Sequence, residues 1–176
     1  MVLSAYSSWR RSEDGVTAIE FSLVALPFFM LLFGILEIAI LFMSASLLEG
    51  AAGSSSRLIR TGQLQQGGGD QAALFREAVC EYAVALIPCD DVVIEVQEMD
   101  SFADFAAMAP EYDEDGVLVS SGFDAGGSDS RVMVRVGYQY EMMTPFIGPL
   151  IAGSDNALQF LSTIILQNEP YDFSGV

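Results

Sequence analysis

The side chains that could do chemistry in this chain are almost all acidic. Asp and Glu number 24 against seven basic residues, all of them arginine, and the net charge is −17. The chain has no histidine, which removes the usual general base, the commonest zinc ligand and any Ser-His or Cys-His pair. It also lacks a basic surface for phosphates or anionic lipids. We therefore predict a protein that is not an enzyme, has no cofactor and binds neither nucleic acid nor a small-molecule substrate.

The only two cysteines, Cys80 and Cys89, are nine positions apart, and Pro88 precedes the second. The spacing is not the C-x-x-C of redox-active pairs, and two thiolates without histidine make a poor zinc site. Outside the cytoplasm such a pair usually oxidises. We predict a disulfide between them, formed where a helix ends and the chain doubles back.

Two acidic stretches, 111–116 (EYDEDG) and 122–129 (GFDAGGSD), place carboxylates beside glycines. Oxygen-rich loops of this kind suit calcium, but neither stretch follows the order of ligands in an EF-hand. We interpret them as solvated loops between strands. The sequence predicts no metal site and no catalytic site there.

The longest apolar segment lies near the N-terminus. No residue between Phe21 and Leu36 is charged, and after Glu37 the run stays apolar or small to Leu48. About 20 apolar residues in a helix cross a bilayer core, and the run is too long for the apolar part of a cleaved signal peptide. We predict one helix over 16–60 that crosses a membrane once and is kinked or loosened at Pro27.

The basic residues set the predicted orientation. Arg10 and Arg11 precede the span, and the next basic residue is Arg57. The positive-inside rule then places the N-terminus in the cytoplasm and the rest of the chain outside. Acidic and polar residues at 12–14 argue against a twin-arginine export signal. A signal-peptidase site at 44–46 (SAS) is a minor alternative, because it follows too long an apolar run.

Residues 15–21 (GVTAIEF) resemble the processing site of the type IV pilin superfamily, where a peptidase cuts after a glycine and the fifth mature residue is a glutamate. The form G-x-x-A-I-E-F is most similar to the TadE-like minor pilins or pseudopilins of the Tad (Flp) pilus. Near the C-terminus, the residues of an NEPY sequence resemble the NEP(Y/F) ending of TadE-like proteins: Asn168, Glu169, Pro170 and Tyr171. The residues between the two motifs offer no match to the family residue by residue, so no family claim is made for them.

The resemblance implies that a prepilin peptidase cuts between Gly15 and Val16, so that Glu20, followed by Phe21, becomes the fifth mature residue. A carboxylate in lipid is costly without a partner. The freed α-amino group of Val16 on a neighbouring subunit would supply one and would set the register between the two helices. The simpler interpretation is that Glu20 extends to the cytoplasmic interface.

Two further features of the helix have open interpretations. Glu37 either pairs with another subunit or, in a tilted helix, reaches the outer headgroups, and we favour the second. The small residues at 44–46 and 50–53 permit close helix packing. These small residues pack the helix against its own outer domain or against other helices. The alternative is that this end of the helix frays into a linker.

Beyond the helix, periodicity predicts one more helix and a sheet. Asp70 is a plausible N-cap for a helix over 71–87 that Pro88 ends, and four residues form its core stripe: Phe75, Val79, Tyr82 and Leu86. Alternation predicts strands at 91–99 and Arg131–Glu141. In the second strand five residues face one way (Val132, Val134, Val136, Tyr138, Tyr140) and four face the other way (Met133, Arg135, Gln139, Glu141).

Three further segments are less distinct. Residues 158–167 fit a strand with Leu158, Phe160, Ile164 and Leu166 inward, although a helix remains open. Residues 101–108 suggest a short helix. Residues 144–152 (TPFIGPLIA) form either a loop folded on the core or a contact patch near the membrane.

The predicted fold class is α+β: a long N-terminal transmembrane helix followed by a small extracytoplasmic domain with one helix packed on an antiparallel sheet. The predicted divisions are a cytoplasmic leader (1–15), a transmembrane and projecting helix (16–60), a Gly-rich linker (61–69) and a head domain (70–176). Three glycines at 67–69 form a flexible joint in the linker.

The resemblance implies a minor pilin or pseudopilin that acts by helix packing in pilus assembly and in surface adhesion. The implied partners are the bacterial inner membrane, a prepilin peptidase, other pilins or pseudopilins and the Tad assembly machinery. The N-terminus would be cytoplasmic and the head periplasmic, with later incorporation into an extracellular pilus. The alternative is an uncleaved, signal-anchored periplasmic or surface binding domain. A membrane-anchored hydrolase is disfavoured, because histidine and any nucleophile motif are lacking.

Overall fold

The computed structural model describes residues 15–83, 86–144 and 147–172. The chain divides into two compact units, Met1–Ala39 and Ile40–Val176. Residues 1–14 of the predicted leader lie outside the described residues. They include Arg10 and Arg11, the basic residues that precede the span. The fold is mixed α and β, with a long N-terminal apolar helix and an antiparallel sheet, as the sequence predicted.

The first helix, α1 (Val16–Arg60), has 45 residues and contains Pro27. Its length and composition suffice to cross a membrane. Most of its large apolar side chains before position 39 are exposed; Phe21, for example, is 69% exposed and Leu31 70%. Apolar surface on this scale is unfavourable in water, so this part of α1 is suited to lipid or to other apolar helices.

About the last six turns of α1 belong to the second unit, which begins at Ile40. Leu48, Ala51, Ala52 and Ile59 are at most 1% exposed and lie in its core. The small side chains therefore seat this end of the helix in its own domain, which was one of the open interpretations. A frayed end is excluded, since buried apolar contacts hold the helix to its last turn.

The segment between α1 and the next long helix contains a helical turn that the sequence did not predict. Gly62 adopts a left-handed φ of 73°, which ends α1 and favours glycine. The turn that follows, α2 (Gln63–Gln66), buries Leu64 to 3% exposure in the core. Part of the predicted linker is thus packed into the domain.

The helix α3 (Gln71–Ala83) begins at the predicted N-cap, because Asp70 Oδ1 accepts hydrogen bonds from the backbone N–H groups of Ala72 and Ala73 at 3.0 and 3.2 Å. The predicted core stripe was only half right. Phe75 and Val79 are fully buried, but Tyr82 is 50% exposed. The buried row continues four residues on, at Ala83, because positions four apart share a helix face.

The predicted extension of this helix to position 87 was also wrong. Leu86 and Ile87 form a turn and a bend rather than helix, and Leu86 is only partly buried. Residues 84 and 85 lie outside the described residues. Pro88 and the Cys89–Asp91 3-10 turn then lead into the sheet.

The sheet has three antiparallel strands in the order β1 (Val92–Met99), β4 (Arg131–Glu141) and β5 (Ala157–Gln167). The alternation in β4 was predicted correctly on its core side, where every predicted residue is at most 7% exposed. Residues 157–167 form a strand and not a helix. The four residues predicted to point inward pack against the core: Leu158, Phe160, Ile164 and Leu166. Helices α1 and α3 contribute to the same core.

The second face of the sheet is also covered, whereas the sequence predicted packing on one face only. Met133 and Arg135 are 0% and 3% exposed. A small hairpin, β2 (Glu111–Tyr112) and β3 (Leu118–Val119), contributes to this cover. Leu118 fits against Gly137, where a Cβ atom would lie 2.9 Å from its Cδ2 atom. Alternation identifies the two faces of a strand but says nothing about loops that later fold over one of them.

The remaining segments are short. A 3-10 turn, Asp104–Ala107, takes the place of the predicted short helix. In the 144–152 region a one-turn helix, α4 (Gly148–Ile151), exposes 83% of Leu150, while Ile147 and Ala152 pack against the core. Positions 145 and 146 lie outside the described residues. The segment is therefore partly packed on the core, as the first interpretation expected, although it forms a helical turn; a contact patch near the membrane stays a prediction.

Candidate functional site

The predicted processing site lies at the first turn of α1. Gly15 directly precedes the helix, and its carbonyl oxygen accepts the hydrogen bond from the N–H of Ile19 at 3.1 Å. All residues from Gly15 to Phe21 are exposed, with Val16 at 48%. Both residues of the predicted scissile bond are therefore exposed.

Glu20 lies one turn further along the same helix face as Val16, since residues four apart are neighbours on a helix. Its side chain is exposed, and the structure pairs it with no cation among the residues it describes. Phe21 and Leu23, which follow Glu20 within one turn of the helix, are 69% and 71% exposed. The carboxylate thus stands on an apolar surface without a counter-ion from the described part of its own chain.

Glu37 does not reach outward as predicted. Its side chain is 2% exposed, and it makes an interaction within the chain. A buried carboxylate needs such an interaction, since burial otherwise disfavours its charged form. The prediction that Glu37 reaches the outer headgroups was therefore wrong.

The two cysteines form a disulfide. Cys80 lies on α3, Cys89 lies just past Pro88, and their Cα atoms are 5.5 Å apart, which is ordinary for a bridge. Arg76, one turn before Cys80, donates from Nη1 to the carbonyl oxygens of Cys89 and Val92 at 3.3 and 2.9 Å. The bridge and this arginine together fix the reversal between α3 and β1.

The C-terminal NEPY residues close the domain around a buried amide. Asn168 is 2% exposed, and its Nδ2 donates to the carbonyl oxygens of Ala125 and Gly127 at 3.0 and 2.7 Å. Its backbone N–H donates to the carbonyl of Ser130 at 2.8 Å. Asn168 therefore joins the end of β5 to the glycine-rich loop at 122–129.

The next residues extend this closure to α1. The N–H of Glu169 donates to the carbonyl oxygen of Arg60 at 2.8 Å, and the two side chains form an exposed ion pair at 3.5 Å. Pro170 is exposed, and the N–H of Tyr171 donates to Ser128 Oγ at 3.0 Å. Burial raises the pKa of Tyr171 above its usual range, against a smaller opposing effect of a hydrogen bond with Asn168. The NEPY residues thus bind the C-terminal end of the domain to the glycine-rich loop and to the last turn of α1.

The acidic stretches use their carboxylates to shape turns. Asp113 Oδ1 accepts from the N–H groups of Asp115 and Val117 at 3.0 and 2.8 Å, and Asp124 Oδ1 accepts from that of Gly126 at 3.0 Å. In residues 15–83, 86–144 and 147–172 there is no cluster of three or more Cys, Asp or Glu side chains placed to hold a metal ion.

A cleft of about 1000 Å³ lies beside the disulfide in the second unit. Ile87, Tyr138 and Tyr140 form part of its apolar wall, and Asp91 and Glu141 line its acidic side. Burial raises the pKa of Tyr138 above its usual range, and the negative charges of Asp91 and Glu141 add to this. The cleft is therefore acidic, with aromatic walls.

An ion pair between Glu95 and Arg135 is the buried polar feature that sequence reasoning missed. The two side chains lie on the second face of the sheet, for which the strand pattern predicted no packing partner. Their opposite charges at facing positions of two predicted strands were the available signal. This signal becomes informative only when the pairing of the strands is known.

The comparisons with known proteins concern only the N-terminal quarter of the chain. Residues 15–57 match the family described as TadE-like protein. The match includes Gly15, Val16, Glu20 and Phe21 and ends one turn before α1 does. No curated protein and no solved structure matches the chain. The match confirms the TadE-like resemblance predicted from residues 15–21 and supports a pilin-like role associated with the Tad pilus.

Proposed function

We propose that this TadE-like chain is a minor pilin or pseudopilin of the Tad (Flp) pilus, and that a prepilin peptidase cleaves it between Gly15 and Val16. The observation that carries the proposal is the placement of the matched motif. Gly15 lies at the exposed N-terminal end of α1, and Glu20 follows one turn later on an apolar surface. The proposed function is assembly rather than catalysis.

Cleavage would change the electrostatics of this helix end. It would create an ammonium group on Val16 at the positive end of the helix dipole, where a cation is unfavourable. A carboxylate is the natural partner for this ammonium group, and Glu20 is the first acidic residue after the cut. Pairing between Val16 of one subunit and Glu20 of its neighbour would neutralise both groups in an apolar setting and fix the axial register of adjacent helices.

The rest of the chain suits this role. The exposed apolar part of α1 provides the surface for the inner membrane and, after assembly, for other pilin helices. The second unit has its own core and a disulfide, which suits an oxidising periplasm. We propose a single-pass protein with a cytoplasmic N-terminus and a periplasmic head, which then joins the pilus and contributes to surface adhesion.

Intact-mass analysis of the membrane-extracted protein tests the proposal. Co-expression with a prepilin peptidase should yield a chain beginning at Val16, and expression without the peptidase should yield a chain beginning at Met1. Gly15→Arg should block the cut, because a large charged side chain replaces hydrogen at the scissile position. A chain that keeps residue 1 in its native host while pili form normally would overturn the proposal.

The second candidate is an uncleaved, membrane-anchored binding domain. The acidic cleft of about 1000 Å³ beside Tyr138 favours it, because such a cleft can accept a cationic group. The intact-mass experiment distinguishes the two candidate functions. An intact N-terminus in the native host supports the anchored domain, and a chain that begins at Val16 supports the pilin.

A further inference from the structure

Apolar side chains are exposed at the end of the second unit where α1 enters it. The unit begins at Ile40. Ile40 lines the acidic cleft together with Met143 and with Glu141, the last residue of β4. This end of the unit, the entry end, therefore contains the end of β4 and the loop at 142–156 that leads into β5.

Contacts around Asn156 hold α4 at the entry end. The N–H of Met142 donates to the carbonyl oxygen of Asn156 at 2.9 Å, and Nδ2 of Asn156 donates to the carbonyl oxygen of Met142 at 2.8 Å. Gly148, the first residue of α4, packs so closely on Asn156 that a Cβ atom there would overlap Oδ1 of the asparagine. The one-turn helix therefore lies directly beside the point where β4 and β5 meet.

The entry patch consists of Met143, Leu150 and Ile151, which are 66%, 83% and 42% exposed. Within the described ranges no large apolar side chain is more exposed than Leu150. On α1, Phe42 and Met43 lie in the first turn of the second unit and are 66% and 56% exposed. Apolar surface of this kind is unfavourable in water and marks a site for lipid or for protein.

The length of the apolar run in α1 selects lipid as the occupant. About 20 helical residues cross a hydrocarbon core of about 30 Å. The uncharged run begins at Phe21, so a helix that crosses the core leaves it near Ile40. The chain thus emerges from the bilayer at the residue where the second unit begins.

We propose that the entry patch inserts into the outer interface of the membrane that α1 crosses. This inference rests on the membrane-anchored state in the proposed function. Insertion removes Leu150 and its neighbours from water and holds the second unit against the bilayer before assembly. Transfer of the chain into a pilus then requires release of the entry patch from lipid.

The charges at the entry end favour a zwitterionic lipid surface. Asp90, Asp91 and Glu141 line the cleft at this end and are exposed, and so is Asp155, which follows α4. The loop at 142–156 contains no basic residue. These carboxylates repel anionic headgroups, whereas a zwitterionic surface carries no net charge to oppose the entry patch.

Tryptophan fluorescence in lipid vesicles tests the insertion. The chain has one tryptophan, Trp9, so the variant Trp9→Phe with Leu150→Trp carries its only tryptophan in the entry patch. The full chain is reconstituted into phosphatidylcholine vesicles with brominated acyl chains, because bromine quenches tryptophan on contact. We expect strong quenching relative to vesicles without bromine, and an emission maximum shifted to shorter wavelength.

The matched control places the tryptophan at the other end of the sheet. Phe102 is 50% exposed and packs against Arg131, the first residue of β4. Ten strand residues separate Arg131 from Glu141 at the entry end, a distance of about 34 Å. Phe102→Trp in the Trp9→Phe background should therefore be quenched much less.

A blocking variant tests whether apolar insertion causes the quenching. Met143→Asp adds a carboxylate to the entry patch, so quenching at position 150 should be lost. Phe102→Asp adds the same charge at the far end of the sheet and should leave that quenching unchanged. The folding of both variants is checked by protease resistance and by the intact Cys80–Cys89 disulfide.

The lipid itself is tested by replacing half of the phosphatidylcholine with phosphatidylglycerol. Quenching at position 150 should fall at low ionic strength and recover at high ionic strength, because salt screens the repulsion between exposed charges. Equal or greater quenching in the anionic vesicles at low ionic strength would overturn the zwitterionic surface as the occupant.

Three further results would each overturn the proposal. These are equal quenching at positions 150 and 102, quenching that persists in the folded Met143→Asp variant, and no quenching at position 150 in a chain that floats with the vesicles. The last result would show that water or protein, including a second copy, covers the entry patch. A chain that does not float with the vesicles would overturn the membrane anchoring of the proposed function as well, so the two failures are distinguishable.

Discussion

Arg135 and Glu95 form an ion pair with Nη1 3.1 Å from Oε2, although their side chains are only 3% and 4% exposed. Glu95 also accepts hydrogen bonds from Gln97 Nε2 at 3.1 Å and from Ser121 Oγ at 2.6 Å. Arg135 Nη2 donates to the carbonyl oxygen of Met108. The pair thus ties the centre of the sheet to the residues that cover its second face.

Removing one member of this pair should cost far more than removing both. Arg135→Met leaves the Glu95 carboxylate buried without a cation, and we expect a loss of about 3–5 kcal/mol in the free energy of unfolding. The double variant Arg135→Met with Glu95→Leu should recover part of that loss. Denaturant unfolding of the full chain in detergent, followed by protease susceptibility, measures both. Equal losses in the single and double variants would contradict the prediction.

Asn168 should be the most sensitive position of the C-terminal motif. Asn168→Ala leaves the carbonyls of Ala125 and Gly127 without this donor, at an expected cost of about 1–3 kcal/mol. Asn168→Asp should cost more, because a carboxylate then faces two carbonyl oxygens.

The control for the Asn168 variants is Glu169→Ala, which removes only an exposed ion pair and should cost about 0–1 kcal/mol. Denaturant midpoints of the three variants measure their order of stability. Asn168→Ala that unfolds at the same midpoint as Glu169→Ala would refute the closing role of Asn168.

Two glycines of α1 should respond differently to alanine. At Gly53 a Cβ atom meets no atom within 4 Å, so Gly53→Ala should stabilise the helix by about 0.5–1 kcal/mol. At Gly50 the same atom would lie 2.8 Å from Cε1 of Tyr82, so the ring must move and the gain should be lost. Thermal unfolding of both variants measures the difference. An equal increase in Tm for both would show that Tyr82 does not pack closely on Gly50.

Reduction of Cys80–Cys89 should weaken the domain moderately. The bridge closes a loop of about ten residues, for which the chain-entropy model gives about 2–3 kcal/mol. Cys80→Ser with Cys89→Ser should lower the denaturant midpoint by the corresponding amount, and adding a reductant to the wild-type chain should have the same effect. Reductant added to the double-serine variant is the control and should change nothing.

Glu20→Ala should separate processing from assembly. The variant keeps Gly15 and the apolar run, so cleavage at Val16 should proceed largely as in the wild type. Pilus yield should fall, because the new ammonium group loses its partner. Yield is measured from sheared surface fractions, and cleavage is measured by mass in the same cells. Normal pilus yield from a cleaved Glu20→Ala chain would remove the proposed role of this carboxylate.

The long helix, the N-cap at Asp70, the disulfide and the core face of β4 could be predicted because each depends on neighbours in sequence. Apolar length, a capping side chain, two cysteines with a proline between them and a period of two are local signals. The core stripe of α3 was predicted less well. Tyr82 fits the same local pattern as Ala83, and only the packing of α3 on the core leaves Tyr82 half exposed and Ala83 buried.

The sequence by itself determined the apolar helix, the acidic and histidine-free chemistry and the TadE-like motif at Gly15–Glu20. Only the tertiary structure decided that Arg135 is buried on Glu95 and that Asn168 closes the domain. These features join segments up to 43 residues apart in the chain. Their energies depend on which surfaces meet and exclude water, and no local pattern of residue types specifies that pairing.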